Sequence, residues 1–90
     1  MTASGELTAE LSLYPLHGDY RAIISRFIEE LSGRPGLTIV TNAMSTQLRG
    51  QHDVVMAAVS DTLRASAGRF GAQVLVCKFI PMSLAITETP

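Results

Sequence analysis

Leu7, Ala9, Leu11 and Leu13 alternate with Thr8, Glu10, Ser12 and Tyr14. Side chains of an extended chain point to opposite sides in turn, so this pattern predicts a half-buried strand, and Pro15 stops it. Leu16-His17-Gly18-Asp19 reads as a loop in which Asp19 caps a helix by accepting bonds from the first free backbone N–H groups. From Tyr20 to about Leu31 the apolar residues Tyr20, Ile23, Ile24, Phe27, Ile28 and Leu31 recur at steps of three and four. That spacing predicts a helix with a wide apolar stripe facing a core and with Arg21, Ser25, Arg26, Glu29 and Glu30 in water. Ser32-Gly33-Arg34-Pro35-Gly36 ends it, with glycine past the last turn and a proline that cannot continue the helix.

The stretch Leu37 to Gly50 starts with β-branched residues and turns polar without gaining the charge of a solvent face. It predicts two strands joined at Asn42-Ala43, since Asn tolerates tight turn geometry. Ser45, Gln47 and Arg49 then share one face while Met44, Thr46 and Leu48 share the other. A second helix is expected from about Asp53 to Arg69, with Asp53 as its cap or first-turn acid. Val55, Val59, Thr62, Leu63, Ser66 and Phe70 form its buried line, and Ala58 permits close approach. Gln73 to Ile80 is apolar along almost its whole length, which predicts a last strand covered on both faces. Pro81 closes it, and Met82 to Pro90 is expected to be a mobile tail or a clasp on a neighbouring subunit.

The element order strand, helix, strand, strand, helix, strand is that of the α+β ferredoxin-like βαββαβ sandwich, an antiparallel sheet with two helices on one face. The 90 residues form a single domain, with a core over about 7–80 and a tail over 81–90. Right-handed crossovers place the first and third strands at the centre of the sheet. Ser12 and Ser45 become neighbours on the uncovered face.

Composition adds a partner to this picture. Hydrophobic residues make up 47% of the chain and charged residues only 17%, against a usual charged share of about 25%. A sheet covered on one face only leaves its other face for that apolar surplus, so a homodimer or homotetramer is expected. A net charge of −1 and a pI near 6.0 lack the basic stripe that nucleic acid requires. Met1 to Glu6 has neither the basic nor the apolar run of a secretion signal, and no segment has the run of about 20 apolar residues that spans a bilayer. Cys77 is the one cysteine, which excludes an intrachain disulfide and a cysteine-based zinc cluster and suits a reducing cytoplasm. On its strand it reads as an inert small hydrophobe. His17 and His52 have no third metal ligand in view, and the acidic residues fall mainly at caps and wet helix faces. No metal, no cofactor and no enzymatic activity is expected, because acid–base chemistry lacks a paired base and nucleophile.

Ser12-Leu13-Tyr14-Pro15-Leu16 followed by Met44-Ser45-Thr46-Gln47-Leu48-Arg49-Gly50 resembles the YkoF-type thiamine/hydroxymethylpyrimidine-binding family, and more distantly the broader thiamine-binding proteins of that fold. The likeness runs from Thr8 to Phe79. It implies a small cytoplasmic module that binds thiamine or its pyrimidine precursor and works as a dimer or tetramer. Some members carry two modules in tandem, whereas this chain has one, so subunit pairing would supply the other half.

The pocket is expected on the open sheet face or at a subunit boundary, and the chemistry of such a ligand points to particular side chains. Thiamine offers an aminopyrimidine edge with donors and acceptors together with a cationic thiazolium ring. Ser12, Asn42, Ser45, Thr46 and Gln47 supply both hydrogen-bond polarities, Glu10 one negative charge, and Tyr14 a ring for stacking or a cation–π contact. Ordinary roles stand beside these. Ser12 and Ser45 could be strand serines bonded to water or backbone, Thr46 a core threonine, Tyr14 a packing aromatic, and Glu10 the partner of Arg49 or Lys78. The rival function is a structural or regulatory oligomeric module that takes no small ligand; a small enzyme of the same fold is a third.

Overall fold

The alternating N-terminal stretch forms the ten-residue strand β1 (Glu6–Pro15). In the computed structural model, which describes residues 5–42 and 45–86, it is followed by α1 (Tyr20–Ser32), β2 (Thr38–Thr41), β3 (Thr46–Gln51), α2 (His52–Phe70) and β4 (Gln73–Ile80). The strands make one antiparallel sheet in the order β2-β3-β1-β4, so β1 and β3 are central as the crossover rule requires. This is the ferredoxin-like α+β arrangement, with both helices packed on one side.

Register explains the core. Leu7, Ala9 and Leu11 of β1 face Gly50, Leu48 and Thr46 of β3, and this side carries the buried cluster with Phe27 and Leu31 of α1 and Val55, Ala58 and Val59 of α2. On α1 the three residues at four-residue spacing, Ile23, Phe27 and Leu31, are buried. Tyr20 departs from expectation: it is 57% exposed, because it opens the helix beyond the edge of the core. Glu30 also departs from the wet face assigned to it, being half-buried between Arg69 at 3.2 Å and Arg26 at 3.9 Å. It thereby ties α1 to α2.

Asp19 has extended backbone geometry and caps α1, its Oδ1 accepting from the N–H groups of Arg21 at 3.1 Å and Ala22 at 3.3 Å. Gly33 closes the helix in right-handed geometry, while Gly36, at φ +84°, makes the turn toward β2. The α2 helix begins one residue before expectation. Gln51 is its N-cap without a side-chain bond, leaving Asp53 as the first-turn acid that favours the positive end of the helix dipole. Val55, Ala58, Val59, Thr62 and Ser66 are its buried residues, whereas Leu63 and Phe70 are half-buried at the core's edge. Arg34 Nε donates to the Thr62 hydroxyl at 3.2 Å and pins the α1–β2 connection to α2.

Two readings of the C-terminal third need correction or completion. β4 is not covered on both faces. It is an edge strand bonded to β1, with Leu75 and Cys77 packed against the core while Val74, Val76 and Ile80 are 47%, 46% and 42% exposed on the open side. A uniformly apolar strand here signals one face in the core and one left exposed among the described residues, not a parallel-sheet interior. After Pro81 the chain doubles back across the open face of its own sheet. The Thr8 hydroxyl donates to the Met82 carbonyl at 2.8 Å and accepts from the Leu84 N–H at 3.0 Å, and Arg49 Nη1 donates to the Leu84 carbonyl at 2.7 Å. The described part of the tail is therefore a strap on the protomer itself, and Thr8 beneath it is buried. Among the described residues, no helix is long and apolar enough to cross a membrane.

Candidate ligand-binding cleft

Opposite the strap, where β1 ends and β3 begins, the sheet, α1 and the loop after β1 enclose a cleft of 690 Å³. Its lining has three parts. Leu11, Leu13, Ile24, Phe27 and Ile28 make an apolar wall; Ser12, Thr41, Asn42, Ser45 and Thr46 make a polar one; Tyr14, Leu16, His17 and Tyr20 stand at the rim. Leu11 and Leu13 come from the helix-covered side of β1 and Ser12 and Tyr14 from its open side, so the cleft wraps the end of the central strand and reaches under α1, within one protomer, where a pocket on the open sheet face or at a subunit boundary was expected.

Local sequence builds each part. Pro15 ends β1, and Gly18, at φ +71°, lets the loop turn tightly back toward Asp19. The Leu16 N–H donates to the Ala72 carbonyl at 3.1 Å, which fixes the loop beside the start of β4. Across the cleft, the Asn42 N–H donates to the Ser45 carbonyl at 2.8 Å and holds the ends of β2 and β3 together. Ala43 and Met44, assigned to the turn and to the Thr46 face, lie outside the described residues.

The structure brings five of the seven expected site residues into the lining: Ser12, Tyr14, Asn42, Ser45 and Thr46. Glu10 stands one step behind. Its Oε2 accepts from the Ser45 hydroxyl at 3.0 Å and its Oε1 lies 3.6 Å from Lys78 Nζ, so the Lys78 pairing considered from sequence is present together with a bond to the cleft edge. Because Ser45 gives its hydrogen to Glu10, its oxygen lone pairs remain to accept from a ligand N–H. Gln47 lies on the open face between Glu10 and Val40 in register, outside the cleft lining. Thr46 is buried, with its oxygen 3.3 Å from that of Thr41. Tyr14 is 55% exposed at the rim, so it is no packing aromatic. Ser45 and Ser12 extend the β1–β3 register one step past Leu11 and Thr46, as the topology requires.

Sequence reasoning missed the contribution of α1. Tyr20, Ile24 and Ile28 form a second line at four-residue spacing beside the buried Ile23, Phe27 and Leu31; the breadth of the apolar stripe was the signal for it. His17 is also in the lining. His52 instead opens α2 beside Asp53, at 3.2 Å. Among the described residues no three His, Cys, Asp or Glu side chains gather where a metal could be held. Cys77 packs beside the core, and burial pushes its thiol above the ordinary range.

No family model matches this chain, and no curated protein matches it. Solved structures do. A proposed thiamine biosynthesis/salvage protein from Thermotoga maritima is similar at 21% identity and a TM-score of 0.73, over 82% of this chain and 81% of that one. A domain of unknown function from Bacillus cereus is similar at 21% identity and a TM-score of 0.75, over 90% and 83%. A hypothetical protein from Methanocaldococcus jannascii is similar at 24% identity and a TM-score of 0.75, over 87% and 81%. At these identities the likeness establishes the fold.

Proposed function

We propose that this chain is a non-catalytic binding module for thiamine or hydroxymethylpyrimidine, working as a homodimer or homotetramer in a reducing cytoplasm. The observation that carries the reading is the cleft, in which hydroxyl and amide groups of Ser12, Asn42 and Ser45 face an apolar wall from β1 and α1. Its 690 Å³ falls within the range of about 300–1,000 Å³ usual for small-ligand sites. The naming of the Thermotoga maritima neighbour for thiamine biosynthesis or salvage agrees with it.

The energetics require both walls. Three neutral hydrogen bonds contribute a net total of about 1.5–4.5 kcal/mol, while micromolar affinity corresponds to about 8 kcal/mol. Burial of a flat ring against Leu13, Ile24 and Ile28 supplies the difference. Ser45, its proton committed to Glu10, accepts from the exocyclic amine of the pyrimidine; Tyr14 and Tyr20 offer ring faces to the thiazolium. Glu10 orients Ser45 and adds negative potential toward the cation. Calorimetric titration with thiamine and with hydroxymethylpyrimidine tests this: a saturable signal supports it, and none up to millimolar ligand refutes it.

The open strip Val74, Val76 and Ile80 supports the oligomeric part and also favours a second reading, a structural module whose sheet face serves only to pair copies. Saturable binding by a variant held monomeric would exclude that reading.

A further inference from the structure

We propose that the cleft selects unphosphorylated heterocycles and turns away their phosphate esters, with Asp19 as a specificity-determining residue. The proposal rests on the ligand reading above and concerns which chemical form of the ligand enters. A phosphate monoester carries between one and two negative charges near neutral pH and is held in proteins by arginine, lysine or unfilled backbone N–H groups. The described lining contains no arginine and no lysine. Its one side chain able to become cationic is His17.

The cleft does border one feature that ordinarily attracts anions, the N-terminus of α1, since Gly18 and Tyr20 on either side of Asp19 both contribute to the lining. That end is already occupied. The Asp19 carboxylate accepts from the N–H groups of Arg21 and Ala22, so the donors that would grip a phosphate are used and a negative charge stands in front of them. On the opposite side, Glu10 takes the Ser45 hydrogen that could have gone to a phosphate oxygen. Lys78, the cation nearest that edge by register, is spent on Glu10 at 3.6 Å. Arg21 follows Tyr20 along α1 but is not part of the lining. Asp19 and Glu10 thus stand just behind the lining, like Arg21 and Lys78, and each is bonded to a group at the cleft edge that would otherwise donate to an anion. A cationic ring gains from these carboxylates, a neutral ring is not opposed by them, and a phosphate ester loses.

The test is a parallel titration of the native chain and Asp19→Asn with thiamine, thiamine monophosphate and thiamine diphosphate at fixed ionic strength. Asparagine caps a helix as well as aspartate does, so the variant keeps α1 while removing the charge; unchanged helical circular dichroism checks this. For the native chain, both phosphates should bind at least about tenfold more weakly than thiamine, a difference of about 1.4 kcal/mol. Asp19→Asn should narrow that gap severalfold, by tightening the phosphates and by weakening the cationic thiamine, since both effects come from the same lost charge. Phosphates binding the native chain as tightly as thiamine would overturn the selectivity while leaving the ligand reading intact. An unchanged gap in Asp19→Asn would overturn the role of Asp19. Absence of binding by all three would overturn the thiamine reading and this inference with it.

Discussion

The Ser45 hydroxyl donates to Glu10 Oε2 at 3.0 Å, joining residues thirty-five positions apart at the edge of the cleft. The bond fixes the serine as an acceptor toward the cleft. Its contribution to stability is small, because Glu10 is partly exposed and its ion pair with Lys78 lies in water. Its consequence is for binding. Glu10→Gln, which can donate as well as accept, should weaken thiamine binding by about tenfold, or about 1.4 kcal/mol, and leave the melting temperature nearly unchanged. Ser45→Leu should abolish binding with the fold retained. Calorimetry and thermal denaturation on the two variants check both expectations.

The open strip on β4 bears on assembly. Val74, Val76 and Ile80 expose apolar surface on a strand whose outer edge has no partner strand among the described residues. Val76→Lys should convert the expected oligomer to a monomer by placing an unpaired charge in the buried contact. Light scattering after size-exclusion chromatography measures this; a native chain that elutes as a monomer would remove the oligomer from the account.

The strap makes a local prediction. Thr8→Val keeps the shape of the side chain but removes the hydroxyl that donates to Met82 and accepts from Leu84. The loss should be about 1–3 kcal/mol for two part-buried hydrogen bonds, and the Leu84 amide should exchange with solvent much faster. Hydrogen exchange followed by NMR reads both the local and the global change.

Much of this architecture was legible because periodicity and capping chemistry act locally. The alternation over residues 7–14 gave β1 and its two faces, and Asp19 marked the start of α1. The apolar surplus led astray at β4, since an apolar strand looks the same in sequence whether its second face is inside the protomer or left for another copy. The cleft was half legible. Ser12 and Ser45 followed from strand register, but the contribution of Ile24 and Ile28 depends on how α1 is rotated against the end of the sheet, which tertiary packing decides. The strap was hidden for the same reason, because its bonds join residues 35 to 76 positions apart.

Gly50 gives a packing test independent of the ligand. A Cβ there would stand 2.7 Å from the Gly36 carbonyl oxygen and 3.2 Å from a Leu37 methyl carbon, so Gly50→Ala should destabilise by about 1–3 kcal/mol through forced backbone displacement. Gly68, inside α2 with nothing within 4 Å of such a Cβ, should respond in the opposite sense. Gly68→Ala should stabilise by roughly 0.5–1 kcal/mol through helix propensity. Denaturant unfolding of the two variants gives both signs.

The most direct test of the cleft is the location of bound ligand, read from backbone amide shifts as thiamine is titrated into the labelled protein. Saturating shifts concentrated at Ser12, Leu16, Asn42 and Ser45, with the strap at Met82 and Leu84 unmoved, are the expected result. Shifts gathered at the strap or along β4 with the cleft silent, or no shifts at millimolar thiamine, would contradict it.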